Sequence, residues 1–182
     1  PVVSEKFWKE LIPSFIAKGG EVEQGFTTYI TPKIISLLKY RKDFLKRKYD
    51  VVYRAKKNPS TPNYFGYIKG IIGDQFIEKS KNYNLKLNIS TNPKKLIRGD
   101  KWYRFLSESK SILGSNSGSS VRLKNKQDLI QINKFKENNP DANFFKIYKD
   151  AIKVEDRDKE YTCLSPRNIE AGIIGTLQIL VK

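Results

Sequence analysis

Tyr49-Asp50-Val51-Val52-Tyr53-Arg54-Ala55 is a short apolar run closed by a cation, and Pro59 and Pro62 behind it mark the next stretch as a loop. The run is too short for a helix and rich in valine and tyrosine, so it reads as a buried strand. Tyr64 to Tyr83 follows as a long helix, with Phe65, Ile68, Ile72 and Phe76 near one stripe. Leu85, Leu87 and Ile89 then alternate with Lys86 and Asn88 as a short second strand. Strand, helix and strand in that order predict a parallel pair joined by a crossover.

The same grammar continues outward. Trp102, Phe105 and Leu106 begin a helix capped by Asp100 and ending near Lys110, and Ser111 to Leu113 is a brief strand. The strand opens into Gly114-Ser115-Asn116-Ser117-Gly118-Ser119-Ser120, read as a loop. Leu129 to Phe135 and Phe144 to Ile152 are helices parted by Asn139-Pro140. Tyr161 to Leu164 is a strand, Pro166 to Gly175 a helix, and Leu177 to Val181 the last strand. On the N-terminal side, Phe7, Trp8, Leu11, Ile12, Phe15 and Ile16 pattern an amphipathic helix to Ala17, ended by Gly19-Gly20. Ile34 to Leu45 is a second helix behind Pro32. The order predicts an α/β protein: a parallel sheet with flanking crossover helices. Leu177 to Val181 lacks a following element to cover it, so a domain truncated at its C-terminus is expected.

Composition narrows the chemistry. Among 182 residues there is no histidine and one cysteine, Cys163. Catalytic triads, histidine general bases, internal disulfides and thiolate zinc sites are thereby excluded. One cysteine and the absence of an apolar run of roughly 20 residues or of a secretory pattern point to a cytoplasmic, reducing setting, at most peripheral to the inner membrane. Thirty-five Lys and Arg against nineteen Asp and Glu give +16. The excess is 27 Lys to 8 Arg, whereas readers of bases favour the planar fork of Arg. The densest stretch, Lys39 to Lys57, holds nine basic residues against two acidic. It is either a phosphate-binding or membrane-facing patch, or a solvated helix face from Lys39 to Lys48 before a buried strand.

In parallel sheets, ligands sit where strands end at their carboxyl side. That rule selects Arg54 onward, the run from Gly114 to Ser120, and Ser165 onward. Cations at Arg54, Lys56 and Lys57 are placed to neutralise a diphosphate leaving group, or simply to keep a surface soluble. The glycine-serine run has backbone N–H groups able to approach an anion, but flexible linkers share its composition, and it lacks both dinucleotide and P-loop patterns. The sharpest segment is Leu164-Ser165-Pro166-Arg167-Asn168-Ile169-Glu170-Ala171. Ser165 is a good N-cap and Pro166 suits the first helical position. A capping-box acid would fall at Asn168, so Glu170 is not needed for capping. Glu170 either forms an exposed pair with Arg167 or meets a ligand's hydroxyl pair, with the first turn's N–H groups near a phosphate. Trp102, Tyr103 and Phe105 are core or a base-stacking surface, and Cys163 is a small buried apolar group.

Taken together, these segments resemble bacterial glycosyltransferases built from two facing Rossmann-like domains, the GT-B architecture of surface-polysaccharide pathways. The matching stretches are Asp50 to Arg54 with Gly66 and Lys69, Leu87 to Thr91, and Gly99 with Trp102, Phe105 and Leu106. They continue through Leu113-Gly114, Ser117 to Ser120, Ser165 to Ala171 and Gly175-Thr176. Asn116, Arg122 and Leu123 depart from it, standing where acidic residues are expected.

The resemblance covers roughly residues 50 to 182 and implies a Rossmann-like donor-binding half at 49–182, preceded by a helical linker at 1–48. It implies that Glu170 holds a donor ribose, and that Gly114, Ser117, Gly118, Ser119, Ser165 and Asn168 lie beside the diphosphate. Arg54 and Arg167 would stabilise the departing phosphate without a metal. No cofactor is implied beyond the nucleotide-sugar donor, and the partner is a glycan or lipid-linked acceptor. A basic nucleic-acid-binding module, motivated by the charge, is the alternative; a scaffold at an anionic membrane face is compatible with the enzyme reading.

Overall fold

The computed structural model describes residues 9, 12–23, 29–57, 62–123, 125–158 and 161–181. Its helices are α1 (Pro13–Ala17), α2 (Pro32–Ile35), α3 (Tyr64–Lys79), α4 (Asp100–Ser107), α5 (Lys126–Asn138), α6 (Phe144–Asp150) and α7 (Pro166–Ile174). The strands are β1 (Tyr49–Arg54), β2 (Leu87–Ser90), β3 (Ser109–Ser115), β4 (Ser117–Ser119), β5 (Tyr161–Cys163) and β6 (Leu177–Val181). Four of them form a parallel sheet in the order β2-β1-β3-β6. Val52 pairs with Asn88 on one side and Ile112 on the other, and Leu113 pairs with Ile179.

Alternation along β1 and β3 sorts the core into two layers. Val52 and Ile112 face α4 and α7, packing with Trp102, Phe105, Leu106, Ala171 and Ile174. Val51, Tyr53 and Leu113 face the opposite way, onto Ile72 and Phe76 of α3. Helix α3 lies close because it is slim there: a Cβ on Gly73 would stand 2.9 Å from Ile89 Cγ2. A smaller core of Val121, Ile132 and Ile152 joins α5 to the chain near α6. Helices on both faces of a parallel sheet make this an α/β, Rossmann-like arrangement, as the element order predicts. At the outer edge, Leu177, Ile179, Leu180 and Val181 of β6 are exposed. Among the described residues no helix is long and apolar enough to cross a membrane.

Several expectations need correction. Tyr161–Cys163 does not join the parallel sheet; it pairs antiparallel with Ser117–Ser119 as a separate two-stranded sheet. The run from Gly114 to Ser120 is therefore no open loop: β3 runs on through Ser115, and β4 occupies the next three extended residues. Small side chains made this run look like a linker, yet they are what admit a second backbone. The helix expected over Ile34–Leu45 is broken into α2, a 3₁₀ segment Ser36–Tyr40 and a 3₁₀ turn Phe44–Lys46. Of the helix expected over Phe7–Ala17, Pro13–Ala17 is present, while Phe7, Trp8 and Leu11 lie outside the described residues. Helix α3 stops at Lys79, short of Tyr83, and α4 starts from Gly99 at φ 59°, with Asp100 in its first turn.

The break has a cause. Arg47 is drawn inward to 5% exposure and donates to the carbonyls of Lys42, Ser109 and Ile174 and to Thr176 Oγ1. Thr176 Oγ1 in turn donates to Leu106 O at 2.9 Å. One guanidinium thus joins the N-terminal segment, the start of β3, the end of α7 and the start of β6. Leu37, with Ile34 and Tyr40 beside it, enters the same core as α7.

Two substitutions test this frame. Arg47→Met leaves three carbonyls and a hydroxyl without their donor and should lower stability in urea unfolding by on the order of 3 kcal/mol, with Arg47→Lys recovering only part because it lacks the fork. Asp50 accepts from Lys110 Nζ at 2.7 Å and from the Lys86 N–H at 2.8 Å, and these two donors hold its carboxyl below the usual range. A depressed folded pKa means the contribution is complete above the unfolded value near 4 and lost as pH falls through the lower folded value. Asp50→Asn should therefore flatten the acid limb of a stability-versus-pH curve and leave the neutral-to-alkaline limb parallel to wild type.

Candidate functional site

The strand order creates a parting of the chain. From β1 the chain passes to β2 on one side, and from β3 it passes to β6 on the other. Above the carboxyl ends of β1 and β3 the connections diverge, which is where parallel sheets open a crevice. A cavity of about 340 Å³ lies there. Its floor is the ends of β1 and β3, with Tyr53, Ala55, Leu113 and Gly114; β6 contributes Gln178 and Leu180. Ser165, Arg167 and Asn168 bring the N-terminal turn of α7 to its rim, and Ser117 reaches it from β4.

Among the described residues three cations border this cavity, Lys56, Lys69 and Arg167, and no Asp or Glu is in its wall. Lys69 is half-buried on α3 and donates to Ser117 Oγ at 2.9 Å. Burial pushes its ammonium pKa down; Cys163 pulls it partly back, and the Arg167 guanidinium adds a weaker downward push. Arg167 donates to the backbone carbonyl of Arg54 at 2.8 Å and lies over the Trp102 ring at 4.9 Å. Ser165 holds the N-cap position, but its hydroxyl makes no capping bond, so the positive end of α7 is not closed by its own side chain. An anion seated among these groups relieves the repulsion between Lys69 and Arg167 and gains the helix end as well.

The arrangement suits binding and charge neutralisation rather than proton abstraction. The Tyr53 phenol donates to Lys69 O at 3.0 Å, and burial pushes its pKa up to about 12, so it stays protonated at neutral pH. Among the described residues no group of three or more acidic, cysteine or histidine side chains could hold a metal ion.

Of the sequence-selected residues, Gly114, Ser117, Ser165, Arg167 and Asn168 meet around this cavity. Four stand elsewhere. Arg54 is 8% exposed and turned into the protein, donating to the carbonyls of Tyr53 and Asn88 and to Asn88 Oδ1, with its guanidinium 4.5 Å over the Phe105 ring. Gly118 is pressed against β5 at φ +124°, where a Cβ would stand 1.7 Å from Tyr161 O. Ser119 donates to the carbonyl of Val121. Glu170 lies one turn beyond Arg167 and accepts from Trp102 Nε1 at 2.8 Å; it is not in the cavity wall. Trp102 is thus core, yet one edge of it serves Arg167 and Glu170 together. Of the strand-end cations the sequence selected, Lys56 is in the wall; Lys69, quoted in the resemblance but given no role there, is the wall cation that was missed. For Lys69 the available signal was a cation set among Gly66, Gly70 and Gly73, the slim stretch that lets α3 approach the sheet.

Gly118 ties the small sheet to the site because β4 delivers Ser117. Gly118→Ala adds a left-handed-region penalty to a clash with backbone, and should cost upward of about 2 kcal/mol in urea unfolding. The β4–β5 amide resonances in NMR spectra should shift while those of β1 and β2 hold.

Comparison of the chain with family models, with curated proteins and with solved structures finds no match, so the groups around the cavity carry the functional reading by themselves.

Proposed function

We propose that the chain is the donor-binding part of a glycosyltransferase, of the GT-B kind, and that its cavity takes the diphosphate of a nucleotide-activated sugar. The observation that carries this reading is a cavity at the sheet's switch point bordered by Lys56, Lys69 and Arg167, with no carboxylate among the described residues of its wall. Phosphate oxygens are the complement of that wall, and a helix N-terminus beside it adds backbone donors.

In this reading Lys69 and Arg167 grip the phosphates, Ser117, Ser165 and Asn168 supply hydrogen bonds, and Gly114 leaves room at the end of β3 for close approach. The cations neutralise the charge that develops on the leaving diphosphate, the task a metal performs elsewhere. Arg54 acts through position alone: its carbonyl orients Arg167. Glu170, fixed by the Trp102 indole, stands one helical turn further, where a nucleoside's ribose would extend. The acceptor, glycan or lipid-linked, and the proton-accepting base belong to groups outside this wall.

Calorimetric titration with UDP, GDP, ADP and inorganic pyrophosphate tests the proposal. At least one nucleoside diphosphate should bind at submillimolar concentration, and Lys69→Ala should weaken it by about tenfold, the loss of one charge-assisted contact. Glu170→Ala should weaken the nucleotide and spare pyrophosphate. Because burial depresses the Lys69 pKa and an anion favours the charged form, affinity should fall as pH rises through that pKa, and Lys69→Ala should abolish this alkaline limb. Absence of binding at millimolar ligand would overturn the proposal. So would oligonucleotide binding whose log–log salt slope is several units, which would place the chain among nucleic-acid-binding modules.

A further inference from the structure

The segment that Arg47 anchors presents a second surface, away from the cavity. Within it a period of three residues separates two stripes, as 3₁₀ geometry requires. Ile34, Leu37 and Tyr40 face inward on the core of α4 and α7. One position on, Ile35 and Leu38 repeat the period and are exposed. The next turn, Phe44–Lys46, exposes Phe44 and leaves Leu45 at 85% exposure, the most exposed of the large apolar side chains described.

This protruding tip is not slack chain. Asp43 accepts from the Leu45 N–H at 2.9 Å and closes the turn, while buried Arg47 grips the Lys42 carbonyl at its base. Around the tip, Lys39, Arg41, Lys42, Lys46 and Lys48 are exposed. Two acids temper them: Asp43 in the turn and Glu108, which pairs with Lys42. A surplus of exposed positive charge therefore flanks the hydrogen-bonded apolar tip on both sides in the chain.

We propose that this surface docks on an anionic lipid bilayer, with the cations on headgroup phosphates and Phe44 and Leu45 seated at the boundary with the acyl chains. Charge complementarity selects a polyanionic partner. The apolar tip selects lipid among such partners, because a nucleic acid would engage the cations and leave Leu45 in water, whereas a bilayer takes both. The proposal is independent of the nucleotide reading, since none of these residues borders the cavity.

Flotation of the 182-residue chain with vesicles of phosphatidylcholine, alone or with about one-third phosphatidylglycerol, tests it. Binding should require the anionic lipid and weaken as salt rises. Phe44→Ser with Leu45→Ser, and separately Lys39→Gln with Lys42→Gln and Lys46→Gln, should each lower partitioning by about tenfold. Lys81→Gln with Lys126→Gln and Lys134→Gln removes the same charge elsewhere and should stay within about twofold of wild type. All the changed residues are exposed, so unfolding temperatures should match and confirm intact folds. The proposal fails if wild type ignores anionic vesicles or if the distant lysine variant loses as much as the patch variant. It also fails if the serine variant partitions like wild type, since binding would then be charge without insertion.

Discussion

The buried guanidinium of Arg47 is the constraint on which the rest depends. Among the described residues it pairs with no carboxylate; its charge is met by the carbonyls of Lys42, Ser109 and Ile174 and by the Thr176 hydroxyl. Burial pushes its pKa down, but an arginine starts so high that it stays charged in the folded protein. The Ile174 carbonyl ends α7, where a cation also meets the negative end of the helix dipole. Gly175 turns the chain there at φ 77°, and Thr176 leads into β6. Helix α7 is therefore held at its C-terminal end by Arg47, which leaves its N-terminal end to stand over the sheet and present Ser165, Arg167 and Asn168.

Burial divides the arginines and lysines of this basic chain into two kinds. Arg47 and Arg54 are enclosed, and backbone carbonyls, a threonine hydroxyl and an asparagine take up their donors; among the described residues Arg54 Nε has no partner. They stabilise geometry and have little capacity left for a ligand. Lys56, Lys69 and Arg167 keep donors or charge facing the cavity. Of the cations at the end of the first strand, Lys56 borders the cavity while Arg54 turns under the sheet, and Lys69 arrives from the helix above. The carbonyl of Arg54 still joins the site by holding Arg167.

Legibility followed the range of the interactions. The unit β1-α3-β2 was plain in the sequence because each piece carries its own periodicity and the two strands are neighbours in the sheet. Helix α7 was plain because Ser165-Pro166 and Gly175 punctuate it locally. The small sheet was not, since Tyr161–Cys163 is an apolar strand in either sheet, and only its partner across some forty residues of chain tells which. The helix expected at Ile34–Leu45 failed for a similar reason: its propensity was overruled by Arg47, whose acceptors lie on β3, α7 and β6.

From residue order alone came the α/β class, the parallel crossovers, the rim at the carboxyl ends of the strands, and the exclusion of histidine and thiolate-cluster chemistry. Those follow from periodicity and inventory, which a linear chain displays in full. Tertiary structure decided which cations face solvent in the cavity, which partner Tyr161–Cys163 takes, and that Glu170 is bound to the Trp102 indole. Each of these depends on atoms brought together from distant segments, and hydrogen-bond geometry between such segments leaves no periodic trace in the chain that encodes it.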